Sequence, residues 1–108
     1  MGSLFYGASR LEIKVDDTTL AMLQRVIVAK MRRNEPFAIT WDDDDSIGDG
    51  LSSVWVAPTM ELHFKFESGT YPALDPVALE RMSQQSATPS GLRLGNASLI
   101  AEPTGYDS

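Results

Sequence analysis

The 108-residue chain contains no cysteine and a single histidine, and these two absences remove several kinds of functional site. Without cysteine there is no disulfide, no thiolate nucleophile and no cysteine-ligated metal. The single histidine, His63, excludes metal centres that are built from several histidines. A chain without cysteine is suited to a reducing compartment, so we expect a cytoplasmic protein.

Long apolar runs and excess positive charge are also missing. No stretch approaches the ~18 apolar residues that a membrane-spanning helix needs, and the first residues lack the pattern of a signal peptide, so no membrane partner is expected. Lysine and arginine number 9 against 15 aspartates and glutamates, which gives a formal net charge of −6. Broad contact with a phosphate backbone depends on excess positive charge, so this balance disfavours nucleic acid as a partner.

No motif for bond chemistry is found in the chain. There is no glycine-rich phosphate loop and no serine–histidine–aspartate constellation. His63 alternates along a predicted strand with Glu61 and Lys65, so its side chain should point to solvent, where no partner for a general base is visible. We therefore predict no catalytic residue and no cofactor, and a protein that is not an enzyme.

The strongest positive signal is a capped amphipathic helix within residues 16–36. Asp17 or Thr18 offers an oxygen to the free N–H groups of the first turn, and Asn34 followed by Pro36 ends the helix. The apolar stripe repeats with the helical period at Leu20, Leu23, Ile27 and Met31. More apolar residues lie off this stripe, which predicts that something covers a second side of the helix: Met22, Val26, Val28 and Ala29.

Alternating apolar and polar residues predict strands on both sides of this helix. The clearest alternation spans residues 61–66, and Asp75 followed by Pro76 is typical of the start of a second helix. The order β-β-α-β-β-β-α, with a short final strand, predicts an α+β domain: a mostly antiparallel sheet of four to six strands with two helices on one face. The domain should occupy residues 1–94, and residues 95–108 should form a partly flexible tail.

An acidic stretch follows the third predicted strand, and it contains the weak metal candidates Asp42, Asp44 and Asp49. Its spacing does not match the calcium loop of an EF-hand, because Ile47 stands where glycine belongs and Ser53 where the bidentate glutamate belongs. A solvated hairpin tip that repels edge-to-edge pairing is the favoured interpretation, so no metal is predicted.

Two groups of residues are candidates for contacts with partners. Lys30, Arg32 and Arg33 form a compact basic cluster, which suits a helix C-terminus on stability grounds alone and would also suit a phosphate. If the residues on either side of Trp55 in its strand face the core, Trp55 lies on the outer face of the sheet, near His63 or Lys65. If the strand faces the opposite way, Trp55 belongs to the core. An exposed tryptophan would suit a protein partner, whereas cross-strand packing is the alternative explanation.

Four segments carry a resemblance to a known family: residues 23–37 (LQRVIVAKMRRNEPF), 48–50 (GDG), 52–58 (SSVWVAP) and 62–66 (LHFKF). The chain resembles a family of small actinobacterial proteins of unknown function whose members often carry the label "ATP-dependent DNA ligase". A ligase similar to the known ones would need a lysine nucleophile in a Lys-x-Asp-Gly context. The stretch from Lys14 to Asp17 lacks that glycine and leads into a helix cap.

The leading hypothesis is a small non-catalytic accessory or protein-interaction domain. It would associate with itself through the apolar side of the first helix or through the sheet face that carries Trp55, or it would bind another protein. The alternative is a component associated with DNA repair, related to a ligase by fusion or by label, that touches nucleic acid or nucleotide through Lys30, Arg32 and Arg33.

Overall fold

The computed structural model describes residues 1–42 and 50–94, together with the backbone of residues 102–103. The predicted α+β class is confirmed. The elements in chain order are β1 (Gly2–Tyr6), β2 (Leu11–Val15), α1 (Asp17–Arg32), β3 (Phe37–Asp42), β4 (Leu51–Val56), β5 (Leu62–Lys65), α2 (Pro76–Ser86), β6 (Leu92–Leu94) and β7 (Glu102–Pro103). Strand β7 falls within the predicted tail, and the rest of residues 95–108 lies outside the described residues.

The described strands form two sheets. One has the order β5-β1-β2-β7 and is antiparallel; the other has the order β4-β3-β6, with β3 antiparallel to β4 and parallel to β6. The sequence pattern predicted a single sheet with both helices on one face, whereas α1 packs against β1 and α2, and α2 packs against β3 and β6. Apolar alternation identifies the buried face of a strand but does not select its neighbour, which explains the difference.

One apolar core joins both sheets to the helices. Its buried residues are Leu4, Ile13, Val15, Leu20, Leu23, Val26, Ile27, Phe37, Ile39, Trp41, Val56, Leu92 and Leu94. Burying such side chains stabilises a fold by roughly 1.5–3 kcal/mol each before chain entropy is subtracted. The second side of α1 is partly covered as predicted, because Val26 is buried on the side that faces α2, but Val28 stays exposed.

Helix α1 begins and ends with side-chain and backbone caps. The N-cap is Asp16, not the predicted Asp17 or Thr18. Its carboxylate accepts hydrogen bonds from the backbone N–H of Thr19 at 3.2 Å and from the Thr19 hydroxyl at 2.6 Å. At the other end Asn34 has a φ of +57°, the left-handed conformation that terminates many helices. Among the described residues, no helix combines the length and apolar character needed to cross a membrane.

Asp17 ties the start of α1 to the segment after β5. Its carboxylate accepts hydrogen bonds from the backbone N–H groups of Ser68 at 2.9 Å and Glu67 at 3.1 Å. The Ser68 bond, followed by the Glu67 bond, holds the pKa of the Asp17 carboxyl below its ordinary value. A carboxylate with a lowered folded-state pKa adds stability above its unfolded-state pKa, and that stability is lost as the pH falls through the folded-state value.

We expect Asp17→Asn to be less stable than the wild type at neutral pH, with the difference in unfolding free energy shrinking as the pH drops below about 4. Urea denaturation at a series of pH values measures this difference. Glu61→Gln is the matched control, because it removes one exposed carboxylate from a side chain with no described hydrogen bond. If the difference in unfolding free energy between the wild type and Asp17→Asn stayed constant at acid pH, the lowered pKa assigned to Asp17 would be wrong.

Candidate functional site

The structure places Trp55 on the solvent side of the three-stranded sheet, which settles the facing that the sequence left open. Trp55 is 57% exposed, and Leu51, four residues earlier on the same side of β4, is 58% exposed. Between them Ser53 is exposed, and its hydroxyl accepts a hydrogen bond of 3.0 Å from the Thr40 hydroxyl on β3. Two large apolar side chains therefore stand in one row on a face whose other side chains are small or polar.

Strand β4 is the end strand of its sheet among the described strands, and it contains no charged residue, proline or glycine. The Tyr6 hydroxyl, from the other sheet, donates a hydrogen bond to the backbone carbonyl of Trp55. This carbonyl therefore points away from β3. Backbone direction alternates along an antiparallel strand, so Leu51, Ser53 and Trp55 all direct their N–H and C=O groups toward the edge of β4 that has no neighbour among the described strands.

His63 and Lys65 lie on the outer face of the other sheet. His63 pairs with Phe5 across β5 and β1, and their ring centroids are 5.5 Å apart; Lys65 pairs with Ser3. The guanidinium of Arg10 covers the Phe5 ring at 4.4 Å. These two candidates are adjacent to each other, but they are on a different sheet from Trp55 and do not form one site with it.

The predicted basic cluster is divided by the fold. Lys30 is only 7% exposed, and its Nζ lies 3.5 Å from Glu35 Oε1 and 5.7 Å from the centre of the Phe37 ring. The same Glu35 oxygen is 3.3 Å from Arg33 Nε. Two of the three cations thus share one carboxylate, and Arg32 lies apart from them in a groove on the outer side of α1.

This α1 groove is the second candidate surface that the structure reveals. It is a shallow depression of about 310 Å³, lined by Gln24, Arg25, Val28, Ala29, Arg32 and Tyr71. The seven-residue spacing of Arg25 and Arg32 is visible in the sequence and was a usable signal. The contribution of Tyr71, from a loop far along the chain, was not predictable because no local pattern points to it.

The metal candidates are only partly within the described residues. Asp42 forms an ion pair of 2.7 Å with Arg93 on β6, and Asp44 and Asp49 lie outside the described residues. In residues 1–42 and 50–94, no group of three or more histidines, aspartates or glutamates is arranged to hold a metal ion.

Comparison with known proteins gives one result, and it concerns the family. A family model described as a domain of unknown function, DUF7882, matches residues 1–97, from β1 through β6. The same comparisons found no matching curated protein and no matching solved structure. Since this family model covers most of the 108 residues, the chain belongs to the DUF7882 family.

Proposed function

We propose that this chain is a non-catalytic protein-interaction domain that associates with a second copy of itself through strand β4. The observation that carries the proposal is the pair of exposed residues Leu51 and Trp55 on an uncharged end strand. Edge strands of soluble proteins are usually protected by charged residues, proline or a bulge. β4 has neither charge nor proline, so it is suited to pairing with another strand. We place this association in the cytoplasm, on the basis of the missing cysteine.

The spacing of the two apolar residues suits a twofold-symmetric, antiparallel pairing of β4 with its copy. If the twofold axis passes midway between Ser53 of one copy and Ser53 of the other, Leu51 of each copy lies opposite Trp55 of its partner. Both exposed apolar side chains are then covered, and favourable cross-strand side-chain pairs stabilise a sheet by roughly 0.2–1 kcal/mol each. The outward N–H and C=O groups of Leu51, Ser53 and Trp55 would form the hydrogen bonds between the two β4 strands. The three-stranded sheets of the two copies would then become one continuous sheet.

The Tyr6 contact is compatible with this arrangement. A carbonyl oxygen has two lone pairs, so the hydrogen bond from Tyr6 leaves one for the partner strand. The contact also fixes the Trp55 end of β4 to the four-stranded sheet. A strand held in place before association loses less conformational entropy when it pairs.

A single introduced cysteine tests the pairing directly, because the chain has none of its own. We expect Ser53→Cys to be joined into a covalent dimer by a short bismaleimide, since the two thiols would face each other at the symmetry axis. Ser9→Cys, in the exposed turn between β1 and β2, is the matched control and should give little dimer. Light scattering after size-exclusion chromatography should report twice the monomer mass for the wild type.

The double substitution Leu51→Ser and Trp55→Ser should abolish both the dimer and the cross-link while leaving the thermal melting temperature of the monomer nearly unchanged. Equal cross-linking at positions 9 and 53, or a monomer mass at every concentration tested, would refute pairing through β4. The second result would leave association with a different protein as the function to be tested, by pull-down with the wild type and the double variant.

The alternative role in DNA repair gains no support from the geometry of its three residues. Lys30 is buried and, like Arg33, interacts with Glu35, so Arg32 is the member of the cluster that has no carboxylate partner among the described residues. The actinobacterial origin and the link to a ligase stay predictions from resemblance. Incubation with labelled ATP tests the ligase version, and we expect no covalent adenylate on Lys14, Lys30 or Lys65.

A further inference from the structure

We propose that the α1 groove is a second binding site, distinct from β4, and that it takes an acidic amphipathic helix of a partner protein. The groove combines two guanidinium groups, an apolar floor and an aromatic wall: Arg25, Arg32, Val28, Ala29 and Tyr71. The two arginines favour negative charge on the occupant, and the apolar floor and wall favour an apolar side chain. Together they favour a helix that carries negative charge on both sides of an apolar residue.

The groove brings two guanidinium groups together on one side of α1. Lys30 and Arg33 interact with Glu35, and Arg93 interacts with Asp42. Within residues 1–42 and 50–94, neither Arg25 nor Arg32 has a carboxylate within ion-pair distance. Glu80 of α2 lines the adjoining depression with Arg25 but forms no described ion pair with it. Two exposed arginines on one helix face therefore form a local positive site in a chain whose net charge is −6.

The floor and wall of the groove are apolar and held in place. Val28 is exposed and lies between the two arginines, and Ala29 is small enough to allow a close approach of another backbone. The Tyr71 hydroxyl donates a hydrogen bond of 3.0 Å to Gln24 Oε1, and its ring lies 5.4 Å from that of Phe66, centre to centre. A wall that is already ordered reduces the entropy lost on binding.

The spacing of the charges suits a partner helix. Arg25 and Arg32 are seven residues apart, which is ~10.5 Å along the axis of α1. Glutamates at positions i and i+7 of a partner helix have the same separation, and a leucine at i+3 or i+4 would contact Val28. A nucleic acid would gain nothing from this apolar floor, and its affinity depends on more cations than the groove offers.

A synthetic peptide tests this inference without knowledge of the natural partner. The probe is a blocked, alanine-based helix of about 15 residues with glutamate at i and i+7 and leucine at i+3 and i+4. The control peptide has lysine in place of both glutamates. Titration by fluorescence anisotropy should show binding of the acidic peptide to the wild type, weakening as salt is added, and no binding of the lysine peptide.

Charge reversal of the groove supplies the matched variants. We expect Arg25→Glu with Arg32→Glu to weaken binding of the acidic peptide by about tenfold or more and to create binding of the lysine peptide. Lys65→Glu, which changes the charge by the same sign on β5 and outside the groove, should change the affinity less than about twofold. Because all three side chains are exposed, circular dichroism should show unchanged folding.

Three results would overturn the proposal. They are an acidic peptide that fails to bind at about 1 mM, an affinity that falls equally in Lys65→Glu, and a labelled single-stranded oligonucleotide that binds the groove more tightly than the peptide does. The last result would assign the arginines to nucleic acid. Substitution of Leu51 and Trp55 should leave peptide binding intact, so failure of this site and failure of the β4 interface are distinguishable.

Discussion

Trp41→Ala is expected to lower the free energy of unfolding by about 3–5 kcal/mol, the largest loss for any single substitution predicted for this chain. Trp41 is fully buried near the end of β3, the central strand of its sheet, and is paired with Ser52 on β4 and Leu94 on β6. Removing the indole deletes its apolar contacts and leaves a cavity that the packed core fills only in part. Urea denaturation followed by circular dichroism measures the loss without relying on tryptophan emission.

The second tryptophan of the chain supplies the matched control. Trp55→Ala removes the same side chain from an exposed position, so in dilute solution it should change the unfolding free energy by less than about 1 kcal/mol. Trp41→Phe should lose clearly less than Trp41→Ala, because it keeps most of the volume and deletes an indole N–H that has no described hydrogen-bond partner. Equal losses at positions 41 and 55 would show that the burial assigned to β3 is incorrect.

Gly91→Ala is expected to lower the free energy of unfolding by about 2–4 kcal/mol, because it adds steric conflict to backbone strain. Gly91 has a φ of +76°, in the left-handed region that side chains disfavour. A Cβ at this position would lie 2.5 Å from the carbonyl oxygen of Ala38 on β3. Since β3 is the central strand of its sheet, this oxygen cannot withdraw without disturbing the pairing of β3 with β4 and β6.

Gly69→Ala is the control for this substitution. Its φ is outside the left-handed region, and nothing lies within 4 Å of the position that a Cβ would take. We expect no loss of stability, or a gain of about 0.4–1 kcal/mol from reduced freedom of the unfolded chain. If Gly91→Ala proved as stable as Gly69→Ala in the same denaturation experiment, β6 would not approach β3 as closely as the structure shows.

Local elements of the fold were largely predictable from the sequence. The apolar stripe of α1 and the alternation of β2 and β5 depend on spacing along the chain, and the structure places these elements close to the predicted bounds. The core was predicted in part: Leu20, Leu23 and Ile27 of the apolar stripe are buried as expected. Further buried residues were missed because their burial depends on contacts with distant elements: Leu4, Trp41, Leu92 and Leu94.

The candidate sites were less predictable than the fold. The exposed position of Trp55 was one of two alternatives that strand periodicity left open, because the facing of β4 depends on its pairing with β3. The basic cluster was predicted as one unit from adjacency, yet helix geometry turns Arg32 away from Lys30 and toward Arg25. Residues two apart on a helix do not share a face, whereas residues seven apart do.

By itself, the sequence determined the class of the domain, the two capped helices, the apolar faces of several strands and the absence of cysteine chemistry. These properties follow from side-chain type and short-range period, which act within a few residues. Only the tertiary structure decided that the strands form two sheets and that Glu35 forms ion pairs with Lys30 and Arg33. It also decided that Tyr71 lines the groove beside Arg32. Those outcomes depend on which distant segments meet, and the free energy that selects them comes from packing across the whole core rather than from any local run of residues.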